Sequence, residues 1–257
     1  MLVRKQQQHN VGNIANRWQH CEVLTASQDQ SFPCRPGMGK SRSGLTATGI
    51  AVVSFLFILL AFSTPYWLET DGSLPRPKFN NIGLWSVCFK EFKDPHFWYD
   101  VTFENCWWIF EEEFYIIFDI LLPPFFVTVQ FFFTFCFTLH LIAGFGLLLY
   151  LACSRENYRF VHLLVFLGGC LLLAAFCGTI AVWVFGLYGD GRDWMPNWEH
   201  NDIGWSYALG VIGVIGSYVS GVLFLIEARR HLIKRRKEEK LRASYNMDQM
   251  RSSHSNI

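Results

Sequence analysis

Charged residues are absent from four long apolar stretches of this 257-residue chain. Asp, Glu, Lys and Arg make up 17% of the sequence. The apolar residues are gathered into blocks, whereas a soluble core requires them to be spread along the chain. About 20 consecutive apolar residues cross a bilayer as a helix, because a helix satisfies its own backbone hydrogen bonds there. The sequence therefore predicts four membrane spans, at about 45–67, 125–151, 161–188 and 204–226.

Motifs of common enzyme chemistry are also absent. The sequence has no HExxH, no recognisable Ser/His/Asp grouping, no glycine loop that would cradle phosphate and no paired carboxylate inside a span. It also lacks the CxxC of membrane thiol oxidoreductases and the CCG of tetraspanins. These absences predict a protein that is not an enzyme and has no cofactor, no metal site and no nucleic-acid partner.

The charged residues divide unequally between the two sides that four spans create. Residues 1–44, 152–160 and 227–257 together hold seventeen Lys and Arg against seven acids, whereas 68–124 and 189–203 hold five against fourteen. Because Lys and Arg are retained in the cytoplasm, both tails are predicted to be cytoplasmic and both loops extracellular. We expect a disordered 1–44 tail, a 45–226 four-span domain and a basic 227–257 tail.

The predicted cytoplasmic segments contain several patterns typical of modification or binding. Met38 opens MGKSRS, which fits a myristoylation pattern if the protein begins there and is an ordinary internal segment if it begins at Met1. Cys153 follows the second span, a position typical of palmitoylation. The basic cluster after the fourth span would hold the tail to anionic lipid. Ser255 and Ile257 end a tail that we expect to be disordered, in the form that PDZ domains capture.

Cys88 and Cys106 are the only two of the eight cysteines that fall in the predicted extracellular loops. Such a pair in an oxidising compartment predicts a disulfide, which would contribute about 3 kcal/mol for a loop of about 15 residues. Tyr99, Val101 and Phe103 alternate with polar residues, the pattern of a half-buried strand. We therefore expect the first loop to form a small sheet with a covalent tie.

Polar and small residues inside the spans leave two interpretations open. Gln130 and His140 would either form interhelical hydrogen bonds or mark a pathway through the membrane. Gly213, Ser217 and Gly221 form a ridge at every fourth residue, which would pack either within the bundle or against a second copy.

Two features of the loops each allow two interpretations. The acidic run 111–113 would either bind a cation or be a solvated surface. Trp194, Trp198 and Trp205, in or beside the second loop, would lie in an interfacial belt or contact a partner.

One motif carries a family resemblance. Trp67, Gly83, Leu84, Trp85, Cys88 and Cys106 form the pattern W…GLW-x-x-C…C, which resembles the signature of the claudin superfamily over roughly residues 40 to 240. The resemblance implies an all-α membrane fold: a left-handed four-transmembrane-helix bundle capped by a small extracellular antiparallel β-sheet from the first outer loop. It also implies that Trp85 wedges the sheet against the membrane face and that Cys88 pairs with Cys106.

The first loop also departs from the common claudin pattern. The spacing of its cysteines is longer than in typical vertebrate claudins, and the stretch before the second span has no basic residue. The loop is similar to that of insect septate-junction claudin-like proteins of the Pasiflora kind, which implies a divergent invertebrate member.

The resemblance implies a structural adhesion and barrier component of an occluding, septate junction at the lateral plasma membrane, which restricts paracellular diffusion. Its partners would be the lipid bilayer, claudin-like proteins, other junction components and a PDZ scaffold. The alternative is an auxiliary subunit that modulates an ion channel or receptor.

Overall fold

Four long helices dominate the fold, which is given by a computed structural model. The structure describes residues 41–93, 102–152, 159–191 and 194–254. The long helices are α1 (Arg42–Ser63), α3 (Pro124–Ala152), α4 (Phe160–Tyr188) and α5 (Trp205–His254), and a short helix α2 (Phe118–Leu121) precedes α3. Each long helix has the length and apolarity of a membrane span, which agrees with the predicted set of four.

Helix α1 ends four residues before the predicted end of the first span. Its N-cap is Ser41, whose hydroxyl accepts a hydrogen bond of 3.0 Å from the amide of Gly44. The helix stops at Ser63 because Pro65 restricts the residue before it, and Thr64 is accordingly extended. Trp67 therefore lies beyond the helix.

The bundle packs α1 along α5, α5 along α4, and α4 along α3, with a smaller contact between α1 and α3. The ridge on α5 faces all three partners. A Cβ at Gly213 would meet Ile58 of α1, and one at Gly221 would meet Leu172 of α4. Ser217 Oγ lies 2.8 Å from Nε2 of His140 on α3. The ridge therefore packs within the bundle, and His140 forms the expected interhelical hydrogen bond.

Helix α5 continues far past the fourth span. Its 50 residues extend about 75 Å, more than twice the thickness of a hydrocarbon core of about 30 Å. The expectation of a disordered tail is therefore wrong as far as His254. The segment is rich in Lys, Arg, Glu and Leu, which favour helix, and Lys234 pairs with Glu238 one turn later at 3.8 Å.

A five-stranded antiparallel sheet covers one end of the bundle. Its strands are β1 (Leu68–Thr70), β2 (Phe79–Ile82), β3 (Ser86–Lys93), β4 (Thr102–Trp108) and β5 (Asn201–Ile203), in the order β4-β3-β2-β1-β5. Two 3-10 helices, Glu112–Ile117 and Trp198–His200, flank it. The prediction that the first loop alone builds the sheet is incomplete, because β5 comes from the second loop and pairs with β1.

The sheet and the adjacent half of the bundle share one hydrophobic core. This core joins side chains from the sheet, such as Val87, to side chains from the helices, such as Phe133. A second core lies at the opposite end of the bundle, around Tyr150 and Phe160. Because the first core is continuous, the sheet is fixed to the bundle by packing as well as by its chain connections.

Candidate functional site at the sheet end of the bundle

Trp67 is the centre of the sheet end. Its side chain is fully buried, and its Nε1 donates a hydrogen bond of 2.6 Å to the carbonyl of Ala61 on α1. Its ring lies edge-on to Phe133 of α3 at 5.0 Å, Phe185 of α4 at 4.9 Å and Tyr207 of α5 at 5.8 Å. One side chain therefore contacts all four long helices.

The backbone of Trp67 joins the two loops. Its amide donates to the carbonyl of Ile82 in β2 at 2.9 Å, and its carbonyl accepts from the amide of Gly204, just before α5, at 2.9 Å. A Cβ at Gly204 would lie 2.2 Å from the carbonyl oxygen of Tyr66, so this position requires glycine. The sequence motif did not include Gly204, because its role depends on a segment more than 130 residues away.

The Gly83-Leu84 pair of the motif lies against the end of α1. A Cβ at Gly83 would come within 2.4 Å of Pro65 Cα, so only glycine permits this close backbone approach. Leu84 is fully buried, and its carbonyl accepts a hydrogen bond of 2.7 Å from Nε2 of Gln130 on α3. Gln130 therefore bonds to the motif loop, and the expectation of an interhelical partner for it is wrong.

Trp85 is less buried than Trp67. Its half-buried ring lies 5.3 Å from Phe62 of α1 and 6.4 Å from Phe110. Its Nε1 is buried and has no hydrogen-bond partner within the described part of the chain. Trp85 thus packs the loop against α1, but the fully buried anchor of the sheet end is Trp67.

Cys88 and Cys106 form a disulfide with an S–S distance of 2.05 Å, as predicted. They are directly opposite each other in β3 and β4, with their Cα atoms 4.0 Å apart. The bond therefore joins an inner strand to an edge strand of the sheet. Of the alternating residues that predicted a strand here, Phe103 lies in β4, whereas Tyr99 and Val101 lie outside the described residues.

A polar contact joins the first loop to the second. His200 Nδ1 lies 3.1 Å from Asp71 Oδ2 and 2.9 Å from Ser73 Oγ, and the Asp71 amide donates to the His200 carbonyl at 2.8 Å. Hydrogen bonds from the Ser73 amide and hydroxyl, and then from His200, hold the pKa of Asp71 below its ordinary value. We call Asp71, Ser73 and His200 the loop clasp.

The loop clasp corrects the expectation that no Ser/His/Asp grouping exists. Its geometry differs from that of a nucleophilic triad, since Ser73 and Asp71 approach the same nitrogen of His200. The Ser73 hydroxyl also lies 2.8 Å from Asp71 Oδ1, so it donates directly to the carboxylate. A relay requires the serine and the acid on opposite ring nitrogens, and the clasp is therefore a structural contact.

The three tryptophans in and around the second loop have different environments. Trp194 is buried among Phe125, Phe126 and Phe185, and its Nε1 donates to the Ile120 carbonyl at 3.1 Å, so both interpretations offered for it are wrong. Trp205 stacks on Tyr66 at 5.4 Å and is 45% exposed. Trp198 is 37% exposed in its 3-10 helix.

Aromatic side chains are exposed on β4 and the segment that follows it. Trp107, Trp108, Phe110 and Tyr115 are 40%, 56%, 40% and 78% exposed. Of the neighbouring acids, Glu111 is the N-cap of the 3-10 helix and Glu112 is its first residue, while the side chain of Glu113 lies outside the described part. Among the described residues, no three His, Cys, Asp or Glu side chains converge as a metal site would require.

Comparison with known proteins decides the family. The family model described as PMP-22/EMP/MP20/Claudin tight junction matches residues 52–226, which is more than half of the chain. The chain belongs to this claudin family. A search of curated proteins finds no match.

Membership agrees with the architecture. This claudin-family protein is a four-span membrane protein with a small antiparallel sheet and a disulfide. The match covers the whole W…GLW-x-x-C…C motif and includes α3, α4 and the β5 strand. The claudin family consists of structural membrane proteins, so the chain has a claudin-like structural role.

Three predicted site residues, Cys153, Ser255 and Ile257, lie outside the described residues. The described chain stops one residue before Cys153 and one residue before Ser255. Their roles therefore stay predictions.

Proposed function

We propose that this protein is a structural adhesion and barrier component of an occluding junction of the septate kind, at the lateral plasma membrane. The family match is the observation that carries the proposal. A barrier component must present a fixed surface to neighbouring molecules, and the continuous core beneath the sheet supports such a surface. The protein restricts paracellular diffusion by lateral and intercellular assembly.

In the proposed topology, the sheet is extracellular and both termini are cytoplasmic. The excess of Lys and Arg in the tails supports this orientation. A disulfide in the sheet is also consistent with an oxidising side. Epitope tags at both termini should be detected in intact cells only after permeabilisation, and a tag that is accessible without it would contradict the topology.

The exposed aromatic side chains on and after β4 are the proposed assembly surface. Trp108 and Tyr115 are more than half exposed. Large aromatic side chains supply much contact area in protein interfaces and also suit the membrane interface. β4 is an edge strand of the described sheet, so one side of it is open to a neighbouring molecule.

Removing the protein from an epithelium tests the proposed function. A large dye placed on one side should cross between cells, and other junction components should disperse from the lateral membrane. Currents recorded from single cells should not change. An intact dye barrier in a confirmed null tissue, with altered gating of a co-purifying channel, would favour the alternative of an auxiliary channel or receptor subunit.

Palmitoylation of Cys153 belongs to the same proposal. An apolar groove of about 560 Å³ runs between α3 and α4, and its lining includes Phe145 and Leu149, which lie on the helix that leads to Cys153. The apolar lining of this groove is suited to an acyl chain. Acyl exchange on the Cys153→Ser variant should show loss of label relative to a Cys170→Ser control, and equal labelling would contradict the assignment.

A PDZ scaffold is the proposed partner of the C-terminus. Helix α5 continues to His254, well past the fourth span, and Ser255 and Ile257 follow it in the sequence. A PDZ domain would bind the free carboxylate and the Ile257 side chain by strand addition. Peptides of the last ten residues should capture PDZ proteins from an epithelial lysate, and an Ile257→Ala peptide should not.

A further inference from the structure

The C-terminal extension of α5 is a long helix that no other described element covers. We call residues 227–254 of α5 the tail helix. At about 1.5 Å per residue, it extends about 40 Å beyond the fourth span. Every residue from 236 to 251 is exposed. Most helical stability in proteins comes from the packing of an apolar face, so a bare helix of this length indicates a missing partner.

Large apolar side chains lie on the exposed part of the tail helix. Leu241, Tyr245, Met247 and Met250 are 69%, 63%, 66% and 71% exposed. Leu232, which is nearer to the bundle, is 40% exposed. Large apolar side chains gathered in one exposed segment are typical of an interaction site.

These apolar side chains lie on opposite faces of the tail helix. Met250 follows Leu232 by about five turns, so the two residues share a face. Leu241 follows Leu232 by about two and a half turns, which places it on the opposite face. Tyr245 lies about one turn beyond Leu241 and is on the same side as Leu241. A partner that buries all four side chains must therefore contact both sides of the helix.

The charge of the tail helix favours an acidic partner. Residues 229–242 hold eight Lys and Arg against two Glu. A surface of one sign attracts a partner of the opposite sign and repels a copy of itself.

The opposed apolar faces also distinguish between kinds of partner. A helix that lies in a membrane surface buries one apolar face, so either Leu232 or Leu241 would stay outside the lipid. A coiled coil with a second copy needs apolar residues repeated along one stripe, and it would bring the like charges together. A partner that encloses the helix satisfies both faces.

We propose that the tail helix binds an acidic Ca²⁺-sensor protein of the EF-hand type, which encloses residues 232–250 between two apolar grooves. Such sensors expose methionine-rich grooves only when Ca²⁺ is bound, and these adaptable grooves take up helices with apolar anchors. The association therefore depends on Ca²⁺. Only the cytoplasmic placement of the tail helix rests on the proposed topology.

Fluorescence anisotropy of labelled calmodulin, an EF-hand sensor, tests the binding to the purified full-length protein in phosphatidylcholine nanodiscs. The anisotropy should rise when Ca²⁺ is present and fall when EGTA removes it. Leu241→Ala should weaken binding by about tenfold, because it removes a side chain that the complex buries. Arg236→Glu combined with Lys237→Glu should also weaken it, because it removes the complementary charge.

Leu187→Ala is the matched control, because it makes the same change at a leucine of α4 that is 62% exposed. It should leave the affinity for calmodulin unchanged. Absence of a Ca²⁺-dependent rise in anisotropy, or equal affinities for Leu241→Ala and Leu187→Ala, would overturn the proposal.

Two other results would assign the tail helix to a different partner and overturn the proposal. One is a dimer of the purified protein that Leu241→Ala abolishes, which would indicate a second copy. The other is protection of residues 236–251 from hydrogen exchange when phosphatidylserine is added without calmodulin, which would indicate anionic lipid. These measurements need no cell junction, so their failure would leave the proposed barrier function standing.

Discussion

Nε2 of Gln130, inside a membrane span, donates a hydrogen bond to the carbonyl oxygen of Leu84, in the loop motif 46 residues earlier. This bond connects a polar residue of a span to the loop that carries the family signature. Both groups are buried, so neither has water as a substitute partner. The bond explains why an amide is present in an otherwise apolar stretch of α3.

Gln130→Leu should destabilise the protein by about 1–3 kcal/mol, because it leaves the Leu84 carbonyl buried without a partner. Thermal unfolding of the purified protein in nanodiscs measures the effect. Phe131→Leu is the control, since Phe131 is 63% exposed on the bundle surface. Equal unfolding temperatures for the Gln130→Leu and Phe131→Leu variants would contradict this role.

Gly83→Ala and Gly49→Ala should have opposite effects. A methyl group at Gly83 would lie 2.4 Å from Pro65 Cα, so the loop must move and surface delivery should fall. Gly49 lies within α1 with open space around it, and alanine there should stabilise the helix by up to about 1 kcal/mol. Surface biotinylation measures how much of each variant reaches the cell surface. Normal surface delivery of Gly83→Ala would contradict the close approach of Gly83 to Pro65.

Phenylalanine substitutions should show that Trp67 contributes more to the stability of the protein than Trp85 does. Trp67→Phe removes a buried hydrogen bond to the Ala61 carbonyl and should cost about 1–3 kcal/mol. Trp85→Phe removes an Nε1 that has no partner in the described chain, and it should cost less than 1 kcal/mol. Thermal unfolding would show the ranking, and a larger loss for Trp85→Phe would reverse it.

Reduction of the Cys88–Cys106 disulfide should destabilise the sheet by about 2–4 kcal/mol. Mass spectrometry of surface protein under non-reducing conditions should find both thiols blocked. Cys88→Ser should be retained in the endoplasmic reticulum, whereas Cys170→Ser should reach the surface. A free Cys88 thiol in the surface population would be incompatible with the structure.

The loop clasp should hold β5 in place except in strong acid. The pKa of Asp71 is lowered from its ordinary 3.8, so the clasp contributes stability above about pH 4 and loses it as the pH falls through the lower folded value. Asp71→Asn should therefore increase hydrogen exchange at residues 201–203 near neutral pH. The difference from the wild type should vanish in strong acid, and a difference that persists there would contradict the assignment.

The spans and the disulfide could be predicted because their signals are local. A run of about 20 apolar residues must form a helix in a bilayer, whatever surrounds it. Cys88 and Cys106 could be paired because the charge distribution separated them from the other cysteines. The ridge of Gly213, Ser217 and Gly221 could be predicted because its signal is also local: helical spacing puts the three residues on one face.

The remaining contacts join segments that are distant in sequence. The β1–β5 pair and the loop clasp join residues about 130 positions apart, and three-residue strands have no readable period. The greater burial of Trp67 relative to Trp85 depends on the four long helices, which all contact its side chain.

The sequence by itself determined the four spans, the unequal charge of their two sides and the covalent tie of the first loop. Composition and local periodicity are sufficient for these, because the bilayer acts on each segment separately. Only the tertiary structure decided that the second loop completes the sheet and that Gln130 bonds to Leu84. Those features depend on which buried polar groups meet when the bundle and sheet pack together.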